Sequence, residues 1–244
     1  MTRSEKVALV TGATRGIGLE TVRQLAQSGA ITLLAGRDAG RAKAAADQLK
    51  AEGLPVESIV LDVSDSESVR RAVEEVTARY GRLDVLVNNA GVLLDQADKA
   101  PSQQSMQCWR ETFDTNVFAV VEVTQAFLPL LRAAPAARIV NLSSQLGSLA
   151  LLTDPNWALY DYKIPAYNAS KSVVNVWTIH LAYELRGTPI KVNAVHPGYV
   201  QTDMNGGQGE IDVPTGAKSA VGMALLGEDG PTGTFTHLGK TLPW

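Results

Sequence analysis

The stretch KVALVTGATRGIG, Lys6 to Gly18, decides how the rest of the chain is read. Lys6 to Thr11 is a short apolar run of the kind that forms a buried strand. Gly12, Gly16 and Gly18 follow, and from Leu19 to Ser28 the residues Leu19, Val22, Leu25 and Ala26 fall on one helical face. Strand, glycine turn and helix in that order make a cradle for a pyrophosphate. The glycines let the backbone approach the phosphates, and the helix N-terminus presents unpaired N–H groups and the positive end of its dipole. The spacing is Gly-x-x-x-Gly-x-Gly, unlike the Gly-x-Gly-x-x-Gly of many dinucleotide folds. A ligand-free strand-to-helix turn would carry the same signal; the position of this one at the head of a repeating pattern favours the cradle.

That pattern continues outward from the loop. Ile31 to Ala35, Val56 to Leu61, Leu83 to Val87, Arg138 to Leu142 and Ile190 to Val195 are short, apolar and largely β-branched. Helical spacing separates them over Asp38 to Ala51, Ser66 to Tyr80, Met106 to Leu131 and Ala166 to Arg186. Such alternation predicts an α/β fold: a single Rossmann-type domain over residues 1–244, with a doubly wound parallel sheet flanked by helices. A ligand then belongs at the switch point beside the first strand. Two long irregular stretches, 145–165 and 201–214, are expected to border the substrate side of that cleft.

Composition narrows the function classes. Lysine and arginine number 22 against 25 acidic residues, so no strong field points to nucleic acid or an anionic membrane. The single cysteine, Cys108, rules out an internal disulfide and a cysteine-based metal cluster, and no metal is expected. MTRSEK runs straight into the first strand, so a signal peptide is not expected and a cytoplasmic location is. The longest apolar stretch, Val117 to Leu131, is interrupted by Glu122, Gln125 and Pro129 and does not read as a membrane span.

A second motif supplies chemistry. In YNASK, Tyr167 and Lys171 lie four apart and share a helical face; no other tyrosine of the six has a lysine at that offset. An ammonium beside a phenol favours the phenolate, so the tyrosine can exchange a proton nearer neutral pH than its ordinary value of about 10. Carbonyl/alcohol redox chemistry needs that pair, although a surface helix pair has the same spacing.

Taken together, TGATRGIG, NNAG at 88–91, Asn116 in TNVFA, Ser144 in NLSSQLG, YNASK and HPGYVQTDM resemble the short-chain dehydrogenase/reductase family over the whole length. GIGLETVRQLA, LLAGRDAGRAKAA and LDVLVNNAG are similar to its carbonyl reductase-like members. The resemblance implies a catalytic set of Asn116, Ser144, Tyr167 and Lys171. Tyr167 would exchange a proton with the carbonyl or alcohol oxygen, and Ser144 would hydrogen-bond that oxygen, with Ser143 as the alternative. Lys171 would lower the tyrosine pKa and bind the nicotinamide ribose. Asn116 would hold a water linking Lys171 to solvent, or else be a buried link within its helix. The cofactor would lie against Gly12, Arg15, Gly16, Ile17, Gly18, Asn89, Ala90, Gly91, Tyr167, Lys171, Pro197, Gly198, Val200 and Thr202. Asp62, with Val63, matches the family's adenine contact or is a plain strand-end cap. Leu94, Trp157, Tyr160, Tyr199 and Met204 are expected to line the substrate pocket.

Charge indicates which nicotinamide cofactor. The second strand ends Ala35-Gly36-Arg37 with no carboxylate at its tip, where an acid would bind the ribose hydroxyls of NAD. Arg37 can place its planar fork on a 2′-phosphate, and Arg15 and Arg41 add charge; solvated surface arginines are the alternative. Asp38 has a capping role at the head of a helix. NADP(H) is favoured, with a small carbonyl or alcohol as substrate.

The chain departs from the family's common form between Ser144 and Tyr167, a separation of 23 residues that exceeds the family's usual spacing. Trp157, Tyr160 and Tyr162 in this extra segment would wall the pocket or cover the surface that other members use to dimerise, which leaves homodimer and monomer both open. His180 and His196 read as structural and His237 as solvent-facing. Two other classes compete: a catalytically silent NADP-binding regulator, which has no use for an intact tetrad, and a sugar epimerase or dehydratase, which normally carries a larger C-terminal substrate domain.

Overall fold

The computed structural model describes residues 5–244; the first four residues of the MTRSEK reading lie outside them. Strands β1 (Val7–Val10), β2 (Ile31–Gly36), β3 (Val56–Val60), β4 (Val85–Asn88), β5 (Arg138–Leu142), β6 (Lys191–Val195), β7 (Phe235–His237) and β8 (Lys240–Thr241) form one sheet. Its order is β3-β2-β1-β4-β5-β6-β7-β8, parallel except for the last pair. Every residue of β1 is buried, and alternate ones enter different cores. Val7 and Leu9 meet α3 (Ser66–Tyr80), α5 (Ala119–Ala133) and α7 (Pro165–Glu184) on one face. Ala8 and Val10 meet α1 (Gly16–Gln27), α2 (Ala39–Ala51) and α8 (Val213–Ala224) on the other. Strands buried on both faces read as continuous apolar runs, which is why they are legible without alternation.

The chain winds from β1 outward to β3 and then returns to β4 beside β1. The loops after β1 and β4 therefore leave the sheet in different directions, and a crevice opens between them. Thr11 joins the two: its Oγ1 accepts from the N–H groups of Asn89 and Ala90, each at 3.0 Å.

Three departures from the sequence expectation bear on the site. The single helix expected over Met106 to Leu131 is α4 (Met106–Phe113), a π-helical turn (Asp114–Phe118) and α5, and Asn116 sits in the widened turn. The stretch 145–165 contains a 3₁₀ turn at Gln145–Gly147 and the one-turn α6 (Leu149–Leu152), and the stretch 201–214 a 3₁₀ turn at Asp203–Asn205. Neither α8 nor the β7–β8 edge was anticipated; β7 is three residues long, two of them polar, too short for a periodic signal.

By length and composition alone, Met106–Ala133 could cross a membrane. In the fold it buries Val123, Phe127, Leu130 and Leu131 in the core, and Thr124 receives a hydrogen bond from Asn88 of β4. The extra segment before Tyr167 does not cover the outer face of α7, where Val173, Val176, Ile179 and Tyr183 remain exposed.

Candidate active site

A cleft of about 470 Å³ opens over the carboxyl ends of β1, β2 and β4. It gathers Gly12, Arg15, Gly16, Ile17, Gly18, Arg37, Arg41, Asp62, Val63, Asn89, Ala90, Gly91 and Thr202 from the expected cofactor set. Pro197, Gly198 and Val200 do not line it. Val200 is 3% exposed because it bridges to Ile211 and packs on Gly216. Gly12 and Gly18 leave no room for side chains. Gly12 has φ +61°, and a Cβ there would stand 2.8 Å from the Ala90 Cα; one on Gly18 would stand 2.4 Å from Asn89 Nδ2. Helix α1 starts at Gly16 with no side-chain cap, so its first N–H groups face the cleft, as an anionic diphosphate requires. The cradle fits a dinucleotide.

The arginines at the adenosine end differ in their engagement. Arg15 pairs with Asp203 at 2.7 Å across the mouth, both side chains largely exposed. Arg41 leans on Asp38 at 3.5 Å, while Asp38 caps α2 by accepting from the Arg41 N–H. Arg37 is exposed and has no hydrogen-bond or ion-pair partner among the described residues. Asp62 accepts from the Ser64 N–H at 3.0 Å, closing the turn after β3, while it also lines the cleft.

The cleft ends at Gly91, and the four expected catalytic residues cluster just behind it. A Cβ on Gly91 would lie 3.3 Å from Asn116 Oδ1 and 3.6 Å from Lys171 Nζ. Asn116 is fully buried and clasps the backbone of Val92, accepting from its N–H and donating to its carbonyl, each at 2.8 Å. Its Nδ2 also reaches Ser170 Oγ at 3.1 Å, so it links the π turn, the cleft wall and α7 rather than its own helix alone. Ser143 donates to Asn175 Oδ1 at 2.6 Å and is turned into α7, whereas the Ser144 hydroxyl accepts from the Leu146 N–H at 3.1 Å and lies close enough to the Tyr167 phenol to act on its titration.

Burial governs the electrostatics here. It pushes the Tyr167 phenol up to about 12, with the Ser144 hydroxyl opposing and Tyr162 adding to the rise. It pushes Lys171 down to about 8. The ammonium lies 5.6 Å from the centroid of the Tyr167 ring and donates to the Leu142 carbonyl at 2.8 Å. In this structure desolvation of the phenol dominates, and the lysine ammonium is bonded to a backbone carbonyl.

Of the five residues expected at the substrate end, Met204 lines the cofactor cleft, and Leu94, Trp157, Tyr160 and Tyr199 lie outside its lining. Residues 154–162 wind into successive turns, with Trp157 N–H to Asp154 O and Tyr160 N–H to Trp157 O. The Lys163 ammonium lies over the Tyr160 ring, 4.3 Å from its centroid. Tyr162 lies near Tyr199, Asp95 and Tyr167: burial raises its phenol, followed by Tyr199 and Asp95. His237 is also not solvent-facing; its Nδ1 bonds the His196 carbonyl at 2.9 Å and its ring lies 5.1 Å from that of His196.

Sequence reading missed Asp95 altogether. It is 8% exposed, and its two carboxylate oxygens accept the N–H groups of Ala166 and Tyr167 at 2.9 Å each. The available signal was an apolar Ile164 where α7 needs a capping side chain.

A family model described as short chain dehydrogenase matches residues 6–211. Carbonyl reductase [NADPH] 1 of Mus musculus is 35% identical, with all of both chains covered, and short-chain dehydrogenase anuI of Penicillium roqueforti is 35% identical over 92% of this chain and 90% of its own. The alignment with the murine protein runs over 283 positions against the 244 residues here, so that relative carries residues this chain lacks. Among solved structures, NADPH-bound carbonyl reductase from chicken fatty liver superposes with a TM-score of 0.84 at 30% identity, covering 99% of this chain and 100% of its own.

Proposed function

The chain belongs to the short-chain dehydrogenase family and is an oxidoreductase, and we propose that it reduces aldehydes and ketones with NADPH, reversibly. The observation that carries this reading is Gly91: one glycine separates the dinucleotide cleft from Asn116 and Lys171, so a nicotinamide laid in the cleft ends beside the tetrad. When bound, the nicotinamide supplies or accepts the hydride. Tyr167 holds the proton that a developing alkoxide takes, as a general acid, and recovers it in the reverse direction. Ser144, beside that phenol, donates to the same oxygen as its charge grows. Lys171 carries its charge within 5.6 Å of the phenol ring, which favours the ionised form against the burial that opposes it. Asn116 keeps the wall of the cleft in register with α7.

The choice of NADPH rests on Arg37, which stands at the β2 end of the cleft with no partner among the described residues, while the neighbouring Asp38 is engaged in capping α2. The names of the murine relative and of the chicken structure support it. One sheet with cores on both faces supports a single catalytic domain, and we place the enzyme in the cytoplasm, as a monomer or homodimer acting on a small carbonyl or alcohol. A panel of aldehydes, aryl ketones, quinones and keto esters, followed by NADPH absorbance and repeated with NADH, tests the reading. Turnover with NADPH in preference to NADH is expected; no turnover of any carbonyl would return the chain to the silent binding protein.

A further inference from the structure

Helix α7 carries Tyr167 in its first turn, and its own sequence leaves that turn uncapped. Ile164 at the N-cap position has no oxygen to offer, and Pro165 at the first helical position has no N–H to satisfy. The next two N–H groups, those of Ala166 and Tyr167, are both taken by Asp95 from 71 and 72 residues away. A carboxylate on the N–H groups of a helix N-terminus forms charge-assisted bonds that the helix dipole reinforces.

Asp95 is also joined by a short run of chain to the cleft. Asn89, Ala90, Gly91 and Val92 line it, and Val92 is gripped at both its N–H and its carbonyl by Asn116, which in turn reaches Ser170 on α7. Residues 89–95 therefore touch the nicotinamide end of the cleft at one end and the backbone of the acid at the other. We propose that Asp95 is a positioning residue: its bidentate hold on the Tyr167 backbone sets where the phenol stands relative to the hydride-transfer site. A cap needed only for helix stability could come from residue 164 itself. This one comes from the strap that also walls the cofactor cleft, so it ties two parts of the reaction geometry together.

The inference rests on Tyr167 being the general acid, and a double-mutant cycle separates the two claims. Asp95→Asn keeps the shape of the side chain, removes its charge and turns one acceptor into a donor facing an N–H. Its kcat is expected to fall about 10²-fold, the cost that a misplacement of about 1 Å can impose. NADPH affinity, read by fluorescence titration, is expected to stay unchanged, and the solvent deuterium isotope effect on kcat to rise as proton transfer becomes limiting. The double variant with Tyr167→Phe is expected to be no slower than Tyr167→Phe alone, because Asp95 acts through the phenol. Losses that multiply in the double variant, an unchanged kcat in Asp95→Asn, or NADPH affinity lost in parallel with kcat would each overturn the positioning role. If the amide variant does not fold, Asp95→Glu, which keeps the charge and both acceptors, enters the same cycle under the same criteria; loss of NADPH binding in both assigns Asp95 to the fold alone and overturns the proposal. Tyr167→Phe with wild-type turnover would instead sink the reading of the acid and leave Asp95 with nothing to position.

Discussion

The two sides of the active site are shaped by opposite means. The cofactor side depends on what is missing: Gly12 and Gly18 leave the space that Ala90 and Asn89 fill, and exposed residues such as Arg15 and Arg37 stand around an open cleft. The acid side depends on what has been buried: Asn116, Lys171, Ser144 and Asp95 are all under a tenth exposed, and Asn116, Lys171 and Asp95 are held by side-chain bonds to backbone groups on other elements. An open, glycine-lined surface presents backbone donors and free cations to a polyanion and tolerates change at its rim. A buried polar cluster is coupled, since removing one member leaves its partners unsatisfied in a low-dielectric site. Substitutions on the two sides are therefore expected to act on different kinetic constants.

The largest effect belongs to the acid side. Tyr167→Phe removes one oxygen and little volume, so folding and NADPH affinity are expected to survive while kcat falls about 10²–10⁴-fold, as loss of a positioned general acid does. Steady-state kinetics beside a cofactor titration reads both; a weakened cofactor with intact kcat would erase the distinction between the sides. Next comes the cofactor rim. Arg37→Ala is expected to lower the preference for NADPH over NADH by about tenfold or more with kcat preserved, since hydrogen bonds to charged groups contribute about 1.5–3 kcal/mol. Equal kcat/KM for the two cofactors in the unmutated enzyme would refute the charge argument.

The smallest effect tests the joint after β6, where buried polar groups continue beyond the catalytic residues. Burial, then the nearby His237, holds His196 down to about 3, and its Nδ1 has no partner among the described residues. The folded-state value lies below the ordinary 6.5, so the unfolded chain takes up this proton first. The contribution of His196 is present in full above pH 6.5 and is lost as pH falls toward 3, at no more than about 1.4 kcal/mol per pH unit. Thermal unfolding of His196→Gln across this range is expected to fall less steeply with acid than that of the unmutated protein; parallel curves would show that His196 already charges in the folded state.

The order of the residues sufficed for strands β1 to β6, the glycine cradle and much of the lining of the cleft. A strand buried on both faces must be apolar throughout, and a phosphate cradle must lack side chains, so both leave marks within a dozen consecutive residues. The tetrad was legible because Tyr167 and Lys171 share one helix and the rest followed from resemblance. The course of the extra segment was not legible: residues 154–162 wind into successive turns, and Lys163 lies over the Tyr160 ring. Asp95 on Tyr167, Asn116 on Val92 and His237 on His196 join residues that no local pattern relates. Only the folded chain decided those contacts. A buried hydrogen bond needs one donor and one acceptor at about 2.9 Å, from any distance along the sequence, and so has no period to read.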